Sequence, residues 1–116
     1  MGARIKHVAI VSHNIDQLQR FYSTLFGMSG SGDRMPGTGA GAAVVTDGYV
    51  GMNINGRANG RQGGIDHFGF EVENVKAIEE AAQTTSQANT YGAVAENWIR
   101  DIEGNRVDIT EHGWPI

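Results

Sequence analysis

Apolar residues recur with different spacings along the chain, and each spacing predicts a type of element. Residues 4–11 (RIKHVAIV) are rich in β-branched side chains and predict a strand that is buried on both faces. After Asn14 the apolar positions recur every three or four residues, as on one face of a helix that ends at Gly27. We expect the apolar stripe of this helix to lie in the core; it consists of Leu18, Phe21, Tyr22, Leu25 and Phe26.

The rest of the first half predicts a loop and a β-hairpin. Residues 28–42 are rich in Gly, Ser and Pro, and no Gly-Lys-Ser/Thr follows, so we expect a mobile loop and no phosphate-binding loop. Residues 41–54 (GAAVVTDGYVGMNI) predict two short strands around an Asp-Gly turn, because this pair tolerates the positive φ angles of tight hairpins. The polar, glycine-rich residues 57–63 are expected to form a linker.

The second half repeats the same order of elements. Residues 64–72 (GIDHFGFEV) predict a strand, and Asn74 is an N-cap for a helix that we expect to reach about residue 87. Residues 95–111 (AENWIRDIEGNRVDITE) predict two strands around a Glu-Gly-Asn turn. Both halves are therefore predicted to form a strand, a helix and then further strands.

Residues that match between the halves support a structural repeat. We aligned residues 5–15 (IKHVAIVSHNI) with residues 65–75 (IDHFGFEVENV). Three pairs coincide: His7 with His67, Asn14 with Asn74, and Ile15 with Val75. Because the pairs share one offset and one order of elements, the two halves are expected to have the same fold, with the two histidines at equivalent positions.

Side chains alternate between the two faces of a strand, so parity predicts which residues share a face. One face of the first strand is predicted to carry Ile5, His7, Ala9 and Val11. In the last strand, Val107 and Ile109 are expected to pack under the helices, with Glu111 on the same side at the outer end. Asp108 then points to the opposite, open face.

The same parity gives the first half a counterpart of Asp108. Val50, Met52 and Ile54 are expected under the helices, which leaves Tyr49, Gly51 and Asn53 on the open face. The sequence Met-Asn-Ile at 52–54 therefore mirrors Val-Asp-Ile at 107–109. The predicted constellation on the open face consists of His7, Asn53, His67 and Asp108.

Two imidazoles and one carboxylate are suited to a divalent metal ion such as Fe, Mn, Ni or Zn. We therefore predict that His7, His67 and Asp108 are metal ligands. Asn53 is a poor ligand, so one side of the site would remain open to water or substrate. The competing interpretation is structural, with core histidines that hydrogen-bond to the backbone and an Asp108 that pairs with Arg106.

Further polar and aromatic residues are candidates for substrate contact. Four are expected to line the open face and to hold an aromatic or anionic substrate: Tyr49, Asn53, Trp98 and Arg100. The alternative for them is core filling and surface charge. His13 and His112 lie beyond strand ends and are expected to be solvated, with a general acid or base role as the alternative.

Composition narrows the class of protein. A chain of 116 residues predicts one domain. Its 17 glycines are about twice the number that the average glycine usage of about 7% would give, which indicates frequent turns. The absence of cysteine excludes disulfides and thiolate metal sites, and the sequence shows no secretory signal, so we expect a cytoplasmic protein. No apolar run reaches the roughly 20 residues of a membrane span. A net charge of −4 argues against nucleic acid and favours a small-molecule or protein partner.

The sequence resembles the vicinal oxygen chelate superfamily, which includes glyoxalase I, extradiol dioxygenases, fosfomycin-resistance transferases, methylmalonyl-CoA epimerases and bleomycin-resistance proteins. The resemblance rests on residues 5–28, on residues 64–75, and on IRDIEGNRVDI at 99–109, which is similar to the late hairpin of the family except at Ile102 and Glu103. It implies an α+β fold in which two βαβββ modules form a cup-shaped, partly open mixed sheet with helices outside. The modules would span about 1–56 and 64–116.

The resemblance also implies a function. It implies a metal-dependent enzyme that binds adjacent oxygens of a substrate, with dioxygenase-like or lyase- and isomerase-like chemistry. The alternatives are a metal-free protein that sequesters a drug or an aromatic compound and a transferase of the fosfomycin-resistance type. Glyoxalases and epimerases usually have a carboxylate or an imidazole at the position of Asn53. At the position of Asp108 the family usually has a glutamate. A homodimer is expected, and the sequence leaves open whether one chain or two form the cup.

Overall fold

The computed structural model describes residues 2–31, 42–56, 62–89, 96–114 and 116. Most of the loop expected at 28–42 and of the linker expected at 57–63 lies outside the described residues. In chain order the elements are β1 (Arg4–Ser12), α1 (Ile15–Phe26), β2 (Ser29–Gly30), β3 (Ala42–Thr46), β4 (Gly51–Gly56), β5 (Gly64–Glu71), α2 (Val75–Ala82), β6 (Gln87–Asn89), β7 (Glu96–Arg100) and β8 (Arg106–Thr110).

The described strands form one mixed sheet in the order β2-β3-β4-β1-β5-β8-β7-β6. At its centre β1 and β5 are antiparallel, while β1 is parallel to β4 and β5 is parallel to β8. The strand order is therefore the same on both sides of the β1/β5 pair. This pair joins the two halves of one chain, and it brings the first and last strands of each half together. The predicted α+β class with an open mixed sheet is confirmed.

Helix α1 forms where the apolar spacing predicted it. The side chain of Asn14 accepts a hydrogen bond from the Gln17 amide, which satisfies one of the free donors at the helix start. Gly27 ends the helix with a φ of 68°, in the left-handed region that glycine adopts without strain, and its amide donates to the Ser23 carbonyl. Asn14 and Gly27 thus fix both ends of α1.

The prediction that the whole apolar stripe of α1 lies in the core is wrong. Leu18 and Tyr22 pack against the buried cluster of the first half, which consists of Ile15, Ala43, Val45 and Ile54. Phe21, Leu25 and Phe26 are 50%, 61% and 66% exposed, because the stripe is wider than the part of the helix that contacts the sheet. The exposed aromatic rings pack on the helix surface instead, with Phe21 5.2 Å from the ring of Tyr22.

Helix α2 is shorter than predicted and is less buried than α1. It starts at the N-cap Asn74, whose side chain accepts from the Ala77 amide, but it ends at Ala82 and does not reach residue 87. Gln83 has a φ of 54°, and the Glu79 carboxylate accepts from both the amide and the hydroxyl of Ser86. The chain then enters β6, and no residue of α2 is buried.

Two irregularities at the centre of the sheet interrupt the predicted alternation. The register between β1 and β5 shifts between Ile5 and His7, and again opposite Asp66. Each shift inserts an extra residue, Lys6 on β1 and Asp66 on β5, as in a β-bulge. Ile5 therefore does not continue the regular alternation of His7, and it is 48% exposed, so the expected single face from Ile5 to Val11 is wrong at its start.

Neither α1 nor α2 is long and apolar enough to cross a bilayer.

Candidate metal centre

Three adjacent strands at the centre of the sheet carry the three predicted ligands. His7 lies on β1 opposite Gly69 of β5, and Gly69 in turn lies beside Asp108 of β8. His67 precedes Gly69 by two residues on β5, so it projects from the same face. All three ligand candidates are buried, with exposed fractions of 2% for His7, 8% for His67 and 0% for Asp108.

The possible ligand atoms of these side chains converge. His67 Nε2 lies 2.9 Å from Asp108 Oδ2, and His7 Nε2 lies 3.8 Å from the same oxygen. One ligand atom from each of the three residues lies within 4.8 Å of the others. Ligand atoms that share one ion at about 2.1 Å are themselves roughly 3 to 3.5 Å apart, so small side-chain adjustments suffice for a common metal.

The two oxygens of Asp108 have different surroundings. Oδ1 accepts a hydrogen bond of 2.8 Å from Arg106 Nε. Oδ2 is buried and lies 2.9 Å from His67 Nε2, and no described residue makes a well-aligned hydrogen bond to it. The interaction with His67 offsets part of the cost of burying this carboxylate, and a bound cation would offset it directly. Oδ2 and the two nearby imidazoles therefore fit a metal ion.

A neighbouring carboxylate orients His67. Asp66 Oδ2 lies 2.6 Å from His67 Nδ1, which leaves Nε2 facing Asp108. Adjacent side chains of a regular strand point to opposite faces, so this contact depends on the extra residue that Asp66 represents in β5. Metal-bound histidines almost always donate from the second ring nitrogen to a carboxylate, a backbone carbonyl or a water, and Asp66 is such a carboxylate.

Burial keeps His7 in the form that can bind a metal. Burial and then the nearby charge of His67 lower the pKa of His7 to about 4. The imidazole is therefore neutral near pH 7, with a lone pair available to a metal.

The other two candidates, His67 and Asp108, each stabilise the charged form of the other. Burial lowers the pKa of His67, but its contacts with Asp108 and Asp66 raise the pKa by more than burial lowers it. The pKa of His67 is therefore above its usual value. Burial likewise raises the pKa of Asp108, but His67 and Arg106 lower it more, so the carboxyl group stays ionised. A metal ion bound to His67 Nε2 would take the place of a proton on that nitrogen.

Asn53 lies at the position in the first half that Asp108 has in the second. It is the partner of Ala9 across β1 and β4, as Asp108 is the partner of Gly69 across β5 and β8. Ala9 follows His7 by two residues, as Gly69 follows His67. Asn53 is half-buried, and the repeat of the fold therefore presents an amide where the second half has a carboxylate.

The other predicted substrate contacts lie at two places. Trp98 pairs with Asp108 across β7 and β8, and the guanidinium groups of Arg100 and Arg106 each lie 5.2 Å from its ring centroid. Because opposite residues of paired strands share a face, this cationic and aromatic group lies beside the metal-ligand candidates. Tyr49 belongs to the turn before β4, is 49% exposed and has Lys6 Nζ 3.8 Å above its ring.

The remaining candidates lie outside the cluster of ligand atoms. Glu111 accepts a hydrogen bond from the Val75 amide at the start of α2. His112 is exposed, and its Nδ1 lies 3.0 Å from the Gly113 carbonyl. His13 is exposed and lines a cavity of about 650 Å³ between α1 and the strands β1 and β5. None of the three metal-ligand candidates lines this cavity.

Sequence reasoning missed the residue that covers His7. The indole of Trp114 stacks on the His7 imidazole, with 4.6 Å between ring centroids and 9° between planes. Its Nε1 donates to Glu96 Oε2 at 2.5 Å. Trp114 follows the last strand, where neither strand nor helix periodicity applies, so the pattern offered no signal beyond the Gly113-Trp114 pair itself.

Known structures share this fold at low sequence identity. A hypothetical protein, BH1468, from Bacillus halodurans C-125 has a TM-score of 0.71 and 16% identity, and the match covers 100% of this chain and 99% of that chain. A variant of Streptomyces coelicolor methylmalonyl-CoA epimerase in complex with 2-nitronate-propionyl-CoA has a TM-score of 0.64 and 17% identity, with 97% and 98% covered.

A dioxygenase is also similar. The 2,3-dioxygenase LapB from Pseudomonas sp. KL28 has a TM-score of 0.71 and 18% identity, and the match covers 96% of this chain but 41% of that chain. No curated protein sequence matches the chain. Residues 4–109, however, match the model of the Glyoxalase/Bleomycin resistance protein/Dioxygenase superfamily, so the predicted resemblance is confirmed and the chain belongs to this superfamily.

Proposed function

We propose that this protein is a metal-dependent enzyme in which His7, His67 and Asp108 hold one divalent ion, which binds two adjacent oxygens of a small-molecule substrate. The observation that supports this most is the convergence of two imidazole nitrogens on the buried Asp108 Oδ2, to which no described residue makes a well-aligned hydrogen bond. The donor set of two nitrogens and one oxygen suits Fe, Mn, Ni or Zn.

Each ligand has a separate part in holding the ion. His7 is neutral and needs no deprotonation, whereas His67 would release a proton when it binds. Asp108 supplies one negative charge, and Arg106 beside it supplies a positive one. When bound, the divalent ion would act as a Lewis acid on substrate oxygens. Because the three ligands carry only one negative charge, the site keeps a net positive charge that attracts anionic oxygens.

Asn53 favours dioxygenase-like chemistry. An isomerase or lyase that removes a proton from carbon needs a base, and an amide does not accept a proton near neutral pH. The position equivalent to Asp108 in the first half holds this amide. An isomerase or lyase reaction would therefore need its base at another residue.

We propose that Trp98 and Arg100 contact the substrate on the second-half side and that Tyr49 and Asn53 contact it on the first-half side. The support is the position of Trp98 beside Asp108, with the guanidinium groups of Arg100 and Arg106 each 5.2 Å from its ring centroid. An aromatic ring with two cations suits a planar or anionic group. The homodimer that we propose would cover the exposed aromatic side chains of α1 or extend the sheet at an edge.

A metal-free binding protein is the second candidate. Its support is that Arg106 and His67 already compensate the charge of Asp108, so the fold does not require an ion. Such a protein would sequester an aromatic compound on the same face.

Metal content separates the two candidates. Metal-free protein should be titrated with Fe(II), Mn(II), Ni(II) and Zn(II), and the bound metal should be measured by elemental analysis and calorimetry. We expect about one ion per chain, lost in His67→Ala and kept in the control His13→Ala, which removes an exposed histidine. Binding of none of the four metals by the folded wild-type protein would contradict the enzyme proposal and favour the binding protein.

A further inference from the structure

The segment after β8 returns over the face that carries the metal ligands. Gly113 makes this return with a φ of 74°, and its amide donates to the Thr110 hydroxyl at 2.7 Å. A Cβ at Gly113 would also meet Glu71 Oε1, but this atom is the end of a flexible side chain that can move away. The backbone angle is therefore what favours glycine here. The result is that Trp114 lies against His7.

The indole is held flat against one of the ligand candidates. The planes of Trp114 and His7 are within 9° of each other, whereas the His7 and His67 rings are tilted by 49°. A stacked indole restricts rotation of the imidazole about its side-chain torsions, because a turned ring would lose the contact. The indole therefore holds the imidazole in the ring plane in which His7 Nε2 lies toward Asp108.

Gly69 provides the space for the indole. A Cβ at this position would lie 2.7 Å from Trp114 Cη2, 2.9 Å from its Cζ2 and 3.1 Å from the Asp108 Cβ. Gly69 has no positive φ, so its backbone could be adopted by any residue, and the requirement for glycine is one of space alone. A side chain here would displace the indole from His7.

The indole N–H of Trp114 is connected through two side chains to Asp108, a second ligand candidate. Glu96 accepts from Trp114 Nε1, and its second oxygen lies 4.0 Å from Arg106 Nη2. Arg106 in turn donates to Asp108 Oδ1. Trp114 thus contacts His7 directly and reaches Asp108 through two side chains, so one connected set of contacts includes two of the three ligand candidates.

We propose that Trp114 is a positioning residue of the metal centre: it fixes the plane of the His7 imidazole beside Asp108, and Gly69 is the residue that admits the indole. The metal-binding consequence rests on the proposed function, whereas the orientation of His7 does not. Outer residues that orient metal ligands typically change metal affinity 10- to 100-fold when they are removed.

The first experiment uses metal-free protein, so that it is independent of the proposed function. The NMR shift of the His7 Hε1 proton should be measured in wild type, Trp114→Phe, Trp114→Ala, Gly69→Ala and Gly30→Ala. We expect the stacked indole to shift this proton upfield, Trp114→Ala and Gly69→Ala to remove most of that shift, and Trp114→Phe to retain part of it. Gly30→Ala is the matched control, because its new Cβ would meet only the flexible end of Gln19.

The second experiment is a calorimetric titration of the same variants with Ni(II) alone. We expect Trp114→Ala and Gly69→Ala to bind about 10- to 100-fold more weakly and Trp114→Phe and Gly30→Ala to stay within about threefold of wild type. Thermal unfolding identifies variants that do not fold, and Gly69→Ala keeps the test decisive if Trp114→Ala is one of them.

The outcomes separate the inference from the proposed function. An unchanged His7 Hε1 shift in folded Trp114→Ala or Gly69→Ala would overturn the inference, even if either variant were less stable. An altered shift with unchanged Ni(II) affinity would overturn the role of Trp114 at the metal centre. Absence of Ni(II), Fe(II), Mn(II) and Zn(II) binding by wild type would overturn the proposed function instead, and the NMR result would still decide whether Trp114 stacks on His7.

Discussion

The two halves of the sheet share an order of strands but differ in what they bury. The first half buries an apolar cluster between α1 and the sheet, formed by Ile15, Ala43, Val45 and Ile54. In the second half α2 has no buried residue, and the fully buried side chain at the centre is the charged Asp108. Asn53 and Asp108 occupy equivalent positions of the backbone repeat. Under the proposed function, the difference between amide and carboxylate decides which half supplies a metal ligand at this position.

This comparison predicts that metal binding depends on the second half. Asp108→Asn keeps the shape of the side chain but removes its charge, so we expect a loss of Ni(II) or Mn(II) affinity of at least 1,000-fold, about 4 kcal/mol. Calorimetry on the metal-free variant measures it. Glu80→Gln, which removes one exposed carboxylate from α2, is the control and should bind as wild type does. Wild-type affinity in Asp108→Asn would remove Asp108 from the site.

The free energy of unfolding should depend more on the first half than on the second. Ile54 is 0% exposed in the first-half cluster, so Ile54→Ala is expected to lower the free energy of unfolding by 2–5 kcal/mol, as buried isoleucines do. The matched change Ile78→Ala on the partly exposed α2 should cost under about 1 kcal/mol. Denaturant unfolding of the metal-free variants measures both. Equal losses would show that the halves do not differ in this way.

The pH dependence of stability tests whether His7, on β1 of the first half, has the lowered pKa that burial and the nearby His67 of the second half give it. Its pKa is about 4 in the folded protein and 6.5 in the unfolded chain, so the unfolded state binds more protons between these values. The stabilisation is complete above pH 6.5 and is lost as the pH falls toward 4. We expect wild type to lose about 3 kcal/mol more than His7→Gln over this range. The raised pKa of His67 acts above pH 6.5 and the lowered pKa of Asp108 acts below 3.8, so neither changes this window.

Denaturant unfolding of metal-free wild type and His7→Gln at several pH values measures the difference. Parallel stability curves for the two proteins between pH 6.5 and 4 would contradict the burial of a neutral His7.

The smallest expected effect comes from making the halves alike. Asn53→Asp places a carboxylate at the position equivalent to Asp108. An additional anionic ligand should strengthen binding of a divalent ion, by about tenfold or about 1.4 kcal/mol. The same titration checks it, with Asn53→Gln as an uncharged control. Weaker binding in Asn53→Asp than in Asn53→Gln would mean that Asn53 does not face the ion.

Much of the fold and part of the site could be predicted from the sequence. The repeat around His7 and His67 and the alternation around Asp108 place all three on neighbouring strands, because strand period and pairing are local consequences of the apolar pattern. The ends of α1 were equally local, since Asn14 and Gly27 act within one turn. The same reasoning failed at the end of α2, because the chain after Ala82 turns and forms β6, which pairs with β7.

The parts that could not be predicted depend on contacts between distant residues. The extra residues Lys6 and Asp66 arise from the register of β1 against β5, and a period-two pattern contains no trace of them. The contact of Asp66 with His67 follows from one of these shifts. Trp114 reaches His7 only after the chain has turned at Gly113, and the space beside Gly69 exists only once β5 and β8 are paired.

The central claim is that His7, His67 and Asp108 bind one divalent metal ion. Crystals of protein loaded with Mn(II) or Ni(II) should be measured at the absorption edge of the metal, with Asp108→Asn crystals as the control. We predict one anomalous peak per chain within bonding distance of His7 Nε2, His67 Nε2 and Asp108 Oδ2, and no peak at that place in Asp108→Asn. A wild-type crystal with no peak between these atoms, or with its metal only elsewhere, would contradict the account.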